Sequence, residues 1–284
     1  MPIIKSMKKI QRIGVTLTQG CTLKGGETAI DTLASIIPFD HRLDINPSLL
    51  KTEKPQYLSG IVDLNLRLKA VVSSAIQAQD FPLVFGGDHA LAIGSISGVA
   101  HSPDHAVIWI DAHGDCNTDI SSISQRIHGM PLAVVQGHGH PDLTALNRYV
   151  IKAQNVLLIG IRSLDSEEEK LMNQWGNRSI TMATIEQNGL EWLLAELRNF
   201  METHAHVHVS FDCDSMDPQL ISGVNTPVKG GFNVHQIRPI LSTILAYDHV
   251  SSMDIVEFNP LYDNGSTFDL ISSIHQLVSQ AKEG

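Results

Sequence analysis

Three short stretches of this sequence concentrate side chains that bind cations. Ala106–Ile110 leads into Asp111-Ala112-His113-Gly114-Asp115, Val207–Phe211 leads into Asp212-Cys213-Asp214, and Phe81–Phe85 leads into Gly86-Gly87-Asp88-His89. Each leading segment is a short apolar run rich in β-branched and aromatic residues, the composition of a buried strand. In extended chain, side chains alternate between faces. Asp111, His113 and Asp115 then point one way together, and so do Asp212 and Asp214. Unpaired carboxylates in such a cluster repel and raise one another's pKa, so the cluster needs a cation. In open parallel sheets the working groups gather beyond the carboxyl ends of the strands. Three strands that each end in a potential ligand fit one site there.

The candidate ligands are His89, Asp111, His113, Asp115, Asp212 and Asp214. Four carboxylates and two neutral imidazoles suit two divalent cations, with some carboxylates bridging. Oxygen-rich ligation with some imidazole favours Mn²⁺ over Zn²⁺, and the lack of thiolate argues against a structural zinc site. Taken alone, His89 is an ordinary residue at a helix start, with Asp88 beside it as a cap. His138 and His140 sit in a Gly/Pro-rich turn where no other ligand type converges. His206 lies on the order of 20 Å back along the strand from Asp212 at about 3.3 Å per residue. Alternation turns Cys213 away from Asp212 and Asp214, into the core.

Five motifs carry a family resemblance. They are Gly-Gly-Asp-His (86–89), Asp-Ala-His-Gly-Asp-Cys-Asn-Thr (111–118), His-Gly-Met-Pro-Leu-Ala (128–133), Ser-Phe-Asp-Cys-Asp-Ser-Met-Asp-Pro (210–218) and Asp-Ile-Val-Glu-Phe-Asn-Pro (254–260). In that order and spacing the sequence resembles the ureohydrolases, and among them most the bacterial-type arginases. The resemblance implies a three-layer α/β/α architecture with a central, mainly parallel sheet, and a single catalytic domain over residues 1–284. It implies two Mn²⁺ per chain, a small guanidino substrate and a homo-oligomer, trimer or hexamer.

The implied reaction is hydrolysis of L-arginine to L-ornithine and urea by a metal-bridging hydroxide. A bound metal takes the pKa of water from about 15.7 to about 7, worth on the order of 12 kcal/mol to hydroxide. Asp115 would orient that hydroxide, His128 would protonate the leaving amine, and Glu257 would hold the guanidinium. Thr226 would line the same pocket. Similarity assigns Asn117 and Ser124 to the substrate α-carboxylate, and Asp165 and Glu168 to its α-amino group.

Three departures from the family pattern bear on specificity. Ser124-Gln125-Arg126 stands where the family has Ser-Gly-Asn, Ser163 replaces the usual Asp, and the Gly-rich loop from Thr18 to Glu27 differs. Arg126 could pair with a substrate carboxylate. An agmatinase, guanidinobutyrase or formiminoglutamase is therefore the competing enzymatic reading, and a metal-binding pseudo-enzyme the non-catalytic one. Activity on agmatine but not arginine selects the first. Bound metal without urea release selects the second.

The elements needed to position these groups are visible in the rest of the chain. Of the 284 residues, 43% are hydrophobic, enough for a substantial core. Strands are expected over Ile10–Leu17, Phe81–Phe85, Ala106–Ile110, Asn155–Gly160, Val207–Phe211 and Ser252–Phe258. Between them fall amphipathic helices, notably Gly60–Gln79, where Ile61, Leu64, Leu68, Val72 and Ala75 share one face. This alternation argues for a parallel sheet covered by helices on both faces. A net charge of −10 disfavours nucleic acid or an acidic membrane as partner. Three cysteines without paired spacing suit a reducing, cytoplasmic setting. The basic segment Met1–Arg12 lacks an apolar continuation and does not read as a secretory signal. No stretch approaches the roughly 20 apolar residues of a membrane span.

Overall fold

The computed structural model describes residues 7–21 and 23–284. The basic segment 1–12 therefore lies partly outside the described residues, as does Thr22 of the expected 18–27 loop. The strands are β1 (Ile10–Thr16), β2 (His41–Asp44), β3 (Phe81–Gly86), β4 (Ala106–Ile110), β5 (Val156–Ile161), β6 (Arg178–Thr181), β7 (Val207–Asp212) and β8 (Val250–Val256). The helices are α1 (Ala29–Leu33), α2 (Leu58–Gln77), α3 (Ala92–Val99), α4 (Pro131–Val135), α5 (Pro141–Thr144), α6 (Ser166–Trp175), α7 (Met182–Asn188), α8 (Leu190–Thr203), α9 (Val234–Leu245) and α10 (Ser266–Lys282).

The strands form one eight-stranded sheet in the order β2-β1-β3-β8-β7-β4-β5-β6. Every pairing is parallel. Strands β3, β4, β5 and β7 are buried at every position, which is why they read as continuous apolar runs rather than alternating ones. One face carries Ile108, Ile110, Phe85, Val209 and Phe211, packed with residues of α8, α9 and α10 such as Leu197, Ile240 and Ile274. The opposite face carries Ile13, Val15 and Val84 against Ile61, Leu64, Leu68 and Val72 of α2. Further along, Val107, Trp109 and Leu158 meet Ile96 of α3, Leu132 of α4 and Met172 of α6. The three layers are those expected from the alternation of elements.

The edge strand β2 has no counterpart in the sequence reading. Its sequence, His-Arg-Leu-Asp, is short and largely exposed, so it lacks the apolar signal of an interior strand. The chain order explains the site. After β3 the chain crosses to β4, leaving a gap of two positions, and β7 and β8 return later to fill it. The segments following β3, β8, β7 and β4 are thus brought side by side along one edge of the sheet.

One buried group outside that edge sets an acid limit on stability. His105 is fully buried just before β4, and neither ring nitrogen has a hydrogen-bond partner. Burial, and then the nearby His208, His101 and His206, lower its pKa to about 3. The unfolded chain protonates this residue near the ordinary value of about 6.5, so stability present above that pH is lost as pH falls toward 3. Urea unfolding at pH 5 should show about 2 kcal/mol less stability from this group than at pH 7. His105→Phe should narrow the difference, and an unchanged pH dependence in that variant would remove His105 as the cause.

Candidate active site

The convergence at the end of β4 does not arise from strand alternation. The strand stops at Ile110, residues 111–113 form a bend, and Asp115 has a left-handed backbone with φ of 49°. Asp212 is the last residue of β7, but Asp214 lies in a single 3₁₀ turn. The candidate ligands come together through these turns. A positive φ on a residue with a Cβ costs of order 1–3 kcal/mol and persists only where the surroundings enforce it. Glu257, just past β8, has the same feature with φ of 63°. Close approach is also required of two glycines. A Cβ on Gly87 would collide with the carbonyl oxygen of Leu17, and one on Gly114 would lie 2.6 Å from Met172 Sδ and 3.0 Å from Glu168 Oε1.

His89 Nδ1 is the centre of the first cluster. It lies 3.2 Å from Asp111 Oδ2, 3.1 Å from Asp115 Oδ2 and 3.0 Å from Asp212 Oδ2. The ring is fully buried, and Nδ1 makes no hydrogen bond of acceptable geometry. In the second cluster His113 Nδ1 lies 3.5 Å from Asp111 Oδ1 and 3.2 Å from Asp214 Oδ2. Asp111 belongs to both groups. A neutral imidazole lone pair aimed at carboxylate oxygens is repulsive unless something positive sits among them. The donor set therefore fits divalent cations, with Asp111 placed to serve both clusters.

Electrostatics say the same. Burial, then the charge of Asp111, pushes Asp115 up to about 6. Burial, then Asp214 and Asp111, raises Asp212 well above the usual carboxylate range. Burial opposes protonation of His89, but the carboxylates of Asp111, Asp115 and Asp212 crowded around Nδ1 outweigh it and raise the imidazole. Each shift favours a proton where a cation would otherwise balance the charge.

A second layer of contacts fixes these candidate ligands. His89 Nε2 pairs with Ser210 Oγ at 2.8 Å, and Ser210 donates onward to Asp254. Asp254 also accepts from Ser95 at 2.6 Å and meets His208 Nε2 at 3.0 Å. The His89 ring stacks on Trp109 with centroids 4.0 Å apart, and the Trp109 indole N–H donates to Asp111 Oδ2 at 2.9 Å. Backbone N–H groups of His113 and Asp214 donate to Asp111 and Asp212. Thr226 Oγ1 donates to Asp214 Oδ2 at 2.8 Å. The Arg162 guanidinium donates to the carbonyls of Asp214, Ser215 and Met216, securing the turn that carries Asp214. Asp254, Ser210, His208, Trp109 and Arg162 escaped the sequence reading. The only available sign was polar residues inside otherwise apolar strands, at Ser210, His208 and Asp254.

A cavity of about 260 Å³ opens over the cluster, lined among others by His113, Asp115, Asp214, His128, Thr226 and Glu257. His128 Nδ1 lies 3.3 Å from Glu257 Oε1. Glu257 also accepts from the His89 backbone N–H at 2.9 Å and from Asn225 Nδ2 at 3.4 Å. Burial pushes Glu257 up, but the His128 hydrogen bond and charge outweigh it and hold the carboxylate below its usual range. Burial pulls His128 down, but its contacts with Cys21 and Glu257 outweigh that and raise it.

Asn117, Ser163, Asp165 and Glu168 line the far wall. Asn117 Nδ2 donates to Asp165 Oδ2 at 2.8 Å, so the residues expected at the α-carboxylate and at the α-amino group, which share one carbon, touch each other. Asp165 caps α6, accepting from the N–H groups of Glu167 and Glu168. Glu168 accepts from the Cys116 N–H, and burial followed by Asp115 raises its pKa to about 8. Ser124 is not among the residues lining this cavity. It borders a separate pocket with Lys51, Gln56 and Tyr57, and its carbonyl accepts from Gln56 Nε2. Arg126 lines neither. His138 stacks on Trp175 and His140 caps α5, away from the cluster.

Ser210→Ala removes the partner of His89 Nε2 without touching a ligand. Outer-shell partners of this kind are worth roughly 10–100-fold in metal affinity. Mn²⁺ titration of the metal-free variant should show a loss in that range with cooperative unfolding retained. Unchanged affinity would mean that Ser210 does not orient the imidazole.

Comparison with known proteins gives the family. The model described as the arginase family matches residues 30–278. The chain is 41% identical over 217 residues to an arginase of Brevibacillus brevis, covering 75% of this chain and 73% of that protein. Its fold matches the native arginase structure from Bacillus caldovelox with a TM-score of 0.87 at 35% identity, covering 98% and 99% of the two chains. An arginase structure from Bacillus subtilis matches with a TM-score of 0.88 at 32% identity, with the same coverage. The chain belongs to the arginase family.

Proposed function

We propose that this chain hydrolyses L-arginine to L-ornithine and urea, with two Mn²⁺ held by His89, Asp111, His113, Asp115, Asp212 and Asp214. The observation that carries the reading is one cavity lined both by members of the doubled His/Asp cluster and by the His128–Glu257 pair. When bound, the ions supply Lewis acidity and lower the pKa of water from about 15.7 to about 7. Manganese fits the oxygen-rich donor set, and the related Bacillus and Brevibacillus proteins named above support arginine as substrate.

The protein's own groups divide the remaining work. Glu257 is buried and held ionised, so its carboxylate accepts the guanidinium N–H groups through charge-assisted bonds. Asp115 accepts a hydrogen bond from the attacking water and aims it at the guanidinium carbon. That water forms the new C–O bond, the C–N bond to the substrate side chain then breaks, and the leaving amine needs a proton. His128 supplies it, since its contacts with Cys21 and Glu257 raise its pKa and favour the protonated ring, and it stands at the cavity wall. The protons released by the water replace the one given up. Thr226 steadies Asp214.

Substrate choice rests on the opposite wall. Asn117 with Asp165 and Glu168 offers a polar, acidic surface suited to an α-amino acid end, and Ser163 stands beside it. Ser124 and Arg126 reach the substrate only if the 117–127 loop moves. We take residues 1–284 as one catalytic domain, and trimeric or hexameric assembly from the family. A cytoplasmic setting accords with three free, buried cysteines. Among the described residues no helix is long and apolar enough to cross a membrane.

The test is urea release after Mn²⁺ loading, with L-arginine, agmatine and 4-guanidinobutyrate in parallel. Arginine should be turned over in strong preference. Glu257→Gln should lower kcat/KM by about 10²–10³-fold, as for loss of one strong electrostatic contact to the reacting group. Preference for agmatine would overturn the assignment of the Asn117–Asp165–Glu168 wall. No urea from any of the three would overturn the activity.

A further inference from the structure

A third cluster of metal-binding groups lies beside the first two and shares no residue with them. Cys21 Sγ, a ring nitrogen of His128 and a carboxylate oxygen of Glu257 all lie within 4.8 Å of one another. Cys21 is a free thiol and fully buried, and Glu257 is 2% exposed. Cys21 comes from the Gly-rich loop after β1, the segment in which the sequence departs from the family pattern.

The loop is tied to both neighbours. The N–H groups of Gly20 and Cys21 donate to Asp88 Oδ2 at 2.8 and 3.3 Å, next to His89. The His128 N–H donates to the Gly20 carbonyl at 3.4 Å. On the far side, the Glu257 N–H donates to the Gly87 carbonyl at 2.7 Å. The three donors are thus held by short backbone links to one turn, 86–89.

Their chemistry differs from that of the dinuclear cluster. That cluster offers oxygen and imidazole, whereas this one offers sulfur, imidazole and one carboxylate. Soft thiolate selects zinc-like ions over manganese, and a tetrahedral site of three protein ligands with one open position is typical of Zn²⁺. The 3.3 Å between His128 Nδ1 and Glu257 Oε1 is long for a charge-assisted hydrogen bond. It matches the edge, about 3.3 Å, of a tetrahedron with metal–ligand bonds of about 2.0–2.1 Å. Both residues line the cavity, so an ion enters from the substrate side.

We propose that Cys21, His128 and Glu257 form an inhibitory site for a thiophilic divalent ion such as Zn²⁺ or Cd²⁺, separate from the dinuclear centre. On binding, Cys21 loses its proton to solvent and its sulfur joins His128 nitrogen and Glu257 oxygen on the ion. The ion then occupies the carboxylate that would hold the guanidinium and the imidazole that would protonate the leaving amine. Inhibition is therefore competitive with substrate. This consequence rests on the catalytic reading given above, whereas the ligand set does not.

The test uses the full chain loaded with Mn²⁺ and titrated with Cd²⁺. Two signals are followed: the near-ultraviolet thiolate-to-cadmium charge-transfer band, and urea release from L-arginine. One band should saturate at one Cd²⁺ per chain with manganese retained, in step with inhibition that added arginine relieves. Cys21→Ser should abolish the band and weaken inhibition by at least the roughly 10–100-fold that a lost outer-shell partner costs. His128→Asn should weaken the band's Cd²⁺ dependence, which tests the site a second way if the Cys21 variant folds poorly. Cys116→Ala and Cys213→Ala should leave the band in place. A band that survives in Cys21→Ser, or inhibition that tracks manganese loss without a band, overturns the proposal. If no guanidino compound is turned over, the catalytic reading fails while the band still decides the site.

Discussion

Four buried aspartates crowd two imidazoles at the end of a parallel sheet, and their mutual repulsion is the constraint the rest of the structure must satisfy. Asp111 and Asp214 are almost wholly buried, and Asp115 is 7% exposed. In so dry a place unbalanced charge is expensive, and a carboxylate without a partner gains a proton or a counterion. The sheet cannot relieve the crowding by spreading. The four segments that carry His89, Glu257, Asp212 and Asp111 follow β3, β8, β7 and β4, which are consecutive neighbours in the hydrogen-bonded order. Their spacing is set by the backbone ladder, at about 4.8 Å per strand. Repulsion must be balanced locally, by protons or cations, because the scaffold does not give way.

The strained residues and the second layer follow from that rigidity. A regular strand continuation would send alternate side chains of 111–115 to opposite sides of the sheet edge. The left-handed turn at Asp115 instead returns its carboxylate to His89. At Glu257 the same backbone inversion lets one carboxylate accept from the His89 N–H and stand beside His128. Behind the candidate ligands, Ser210 and Asp254 fix which nitrogen of His89 faces the carboxylates. A buried Asp254 is itself costly, and it is tolerated because Ser95, Ser210 and His208 all meet it.

The sequence discloses some of this and hides the rest for identifiable reasons. Buried parallel strands are continuous apolar runs, so β3, β4, β5 and β7 stand out, and α2 is marked by its 3.6-residue stripe. β2 is invisible because a short exposed edge strand carries charged residues that pattern like a loop. The candidate ligands are legible by type and spacing, yet strand alternation is the wrong local cause for their convergence. Strand period cannot report a turn beginning at Asp111. Ser124 illustrates a different limit. Its position in a motif says nothing of the path of the 117–127 loop, which carries it to the pocket beside Gln56 and Tyr57. The network through Asp254 and Trp109 was hidden because contacts between strands distant in sequence leave no periodic trace.

Glu257 is where these constraints meet. One carboxylate faces the backbone of a proposed metal ligand, the imidazole proposed to deliver a proton, and the cavity where a cationic substrate would lie. A group that attracts a guanidinium by charge attracts any cation small enough to reach it. Selectivity then depends on what surrounds the carboxylate. Hard oxygen neighbours would favour manganese and offer little to softer ions. Placing the Cys21 sulfur within 4.8 Å of the His128 and Glu257 donor atoms changes that balance, because it adds the ligand that softer ions prefer. The two demands of the proposed mechanism, a carboxylate free for substrate and a histidine free to give up a proton, fall on the same two groups a thiophilic ion would take. The arrangement proposed to hold a guanidinium therefore also sets which inorganic cations can close the cavity.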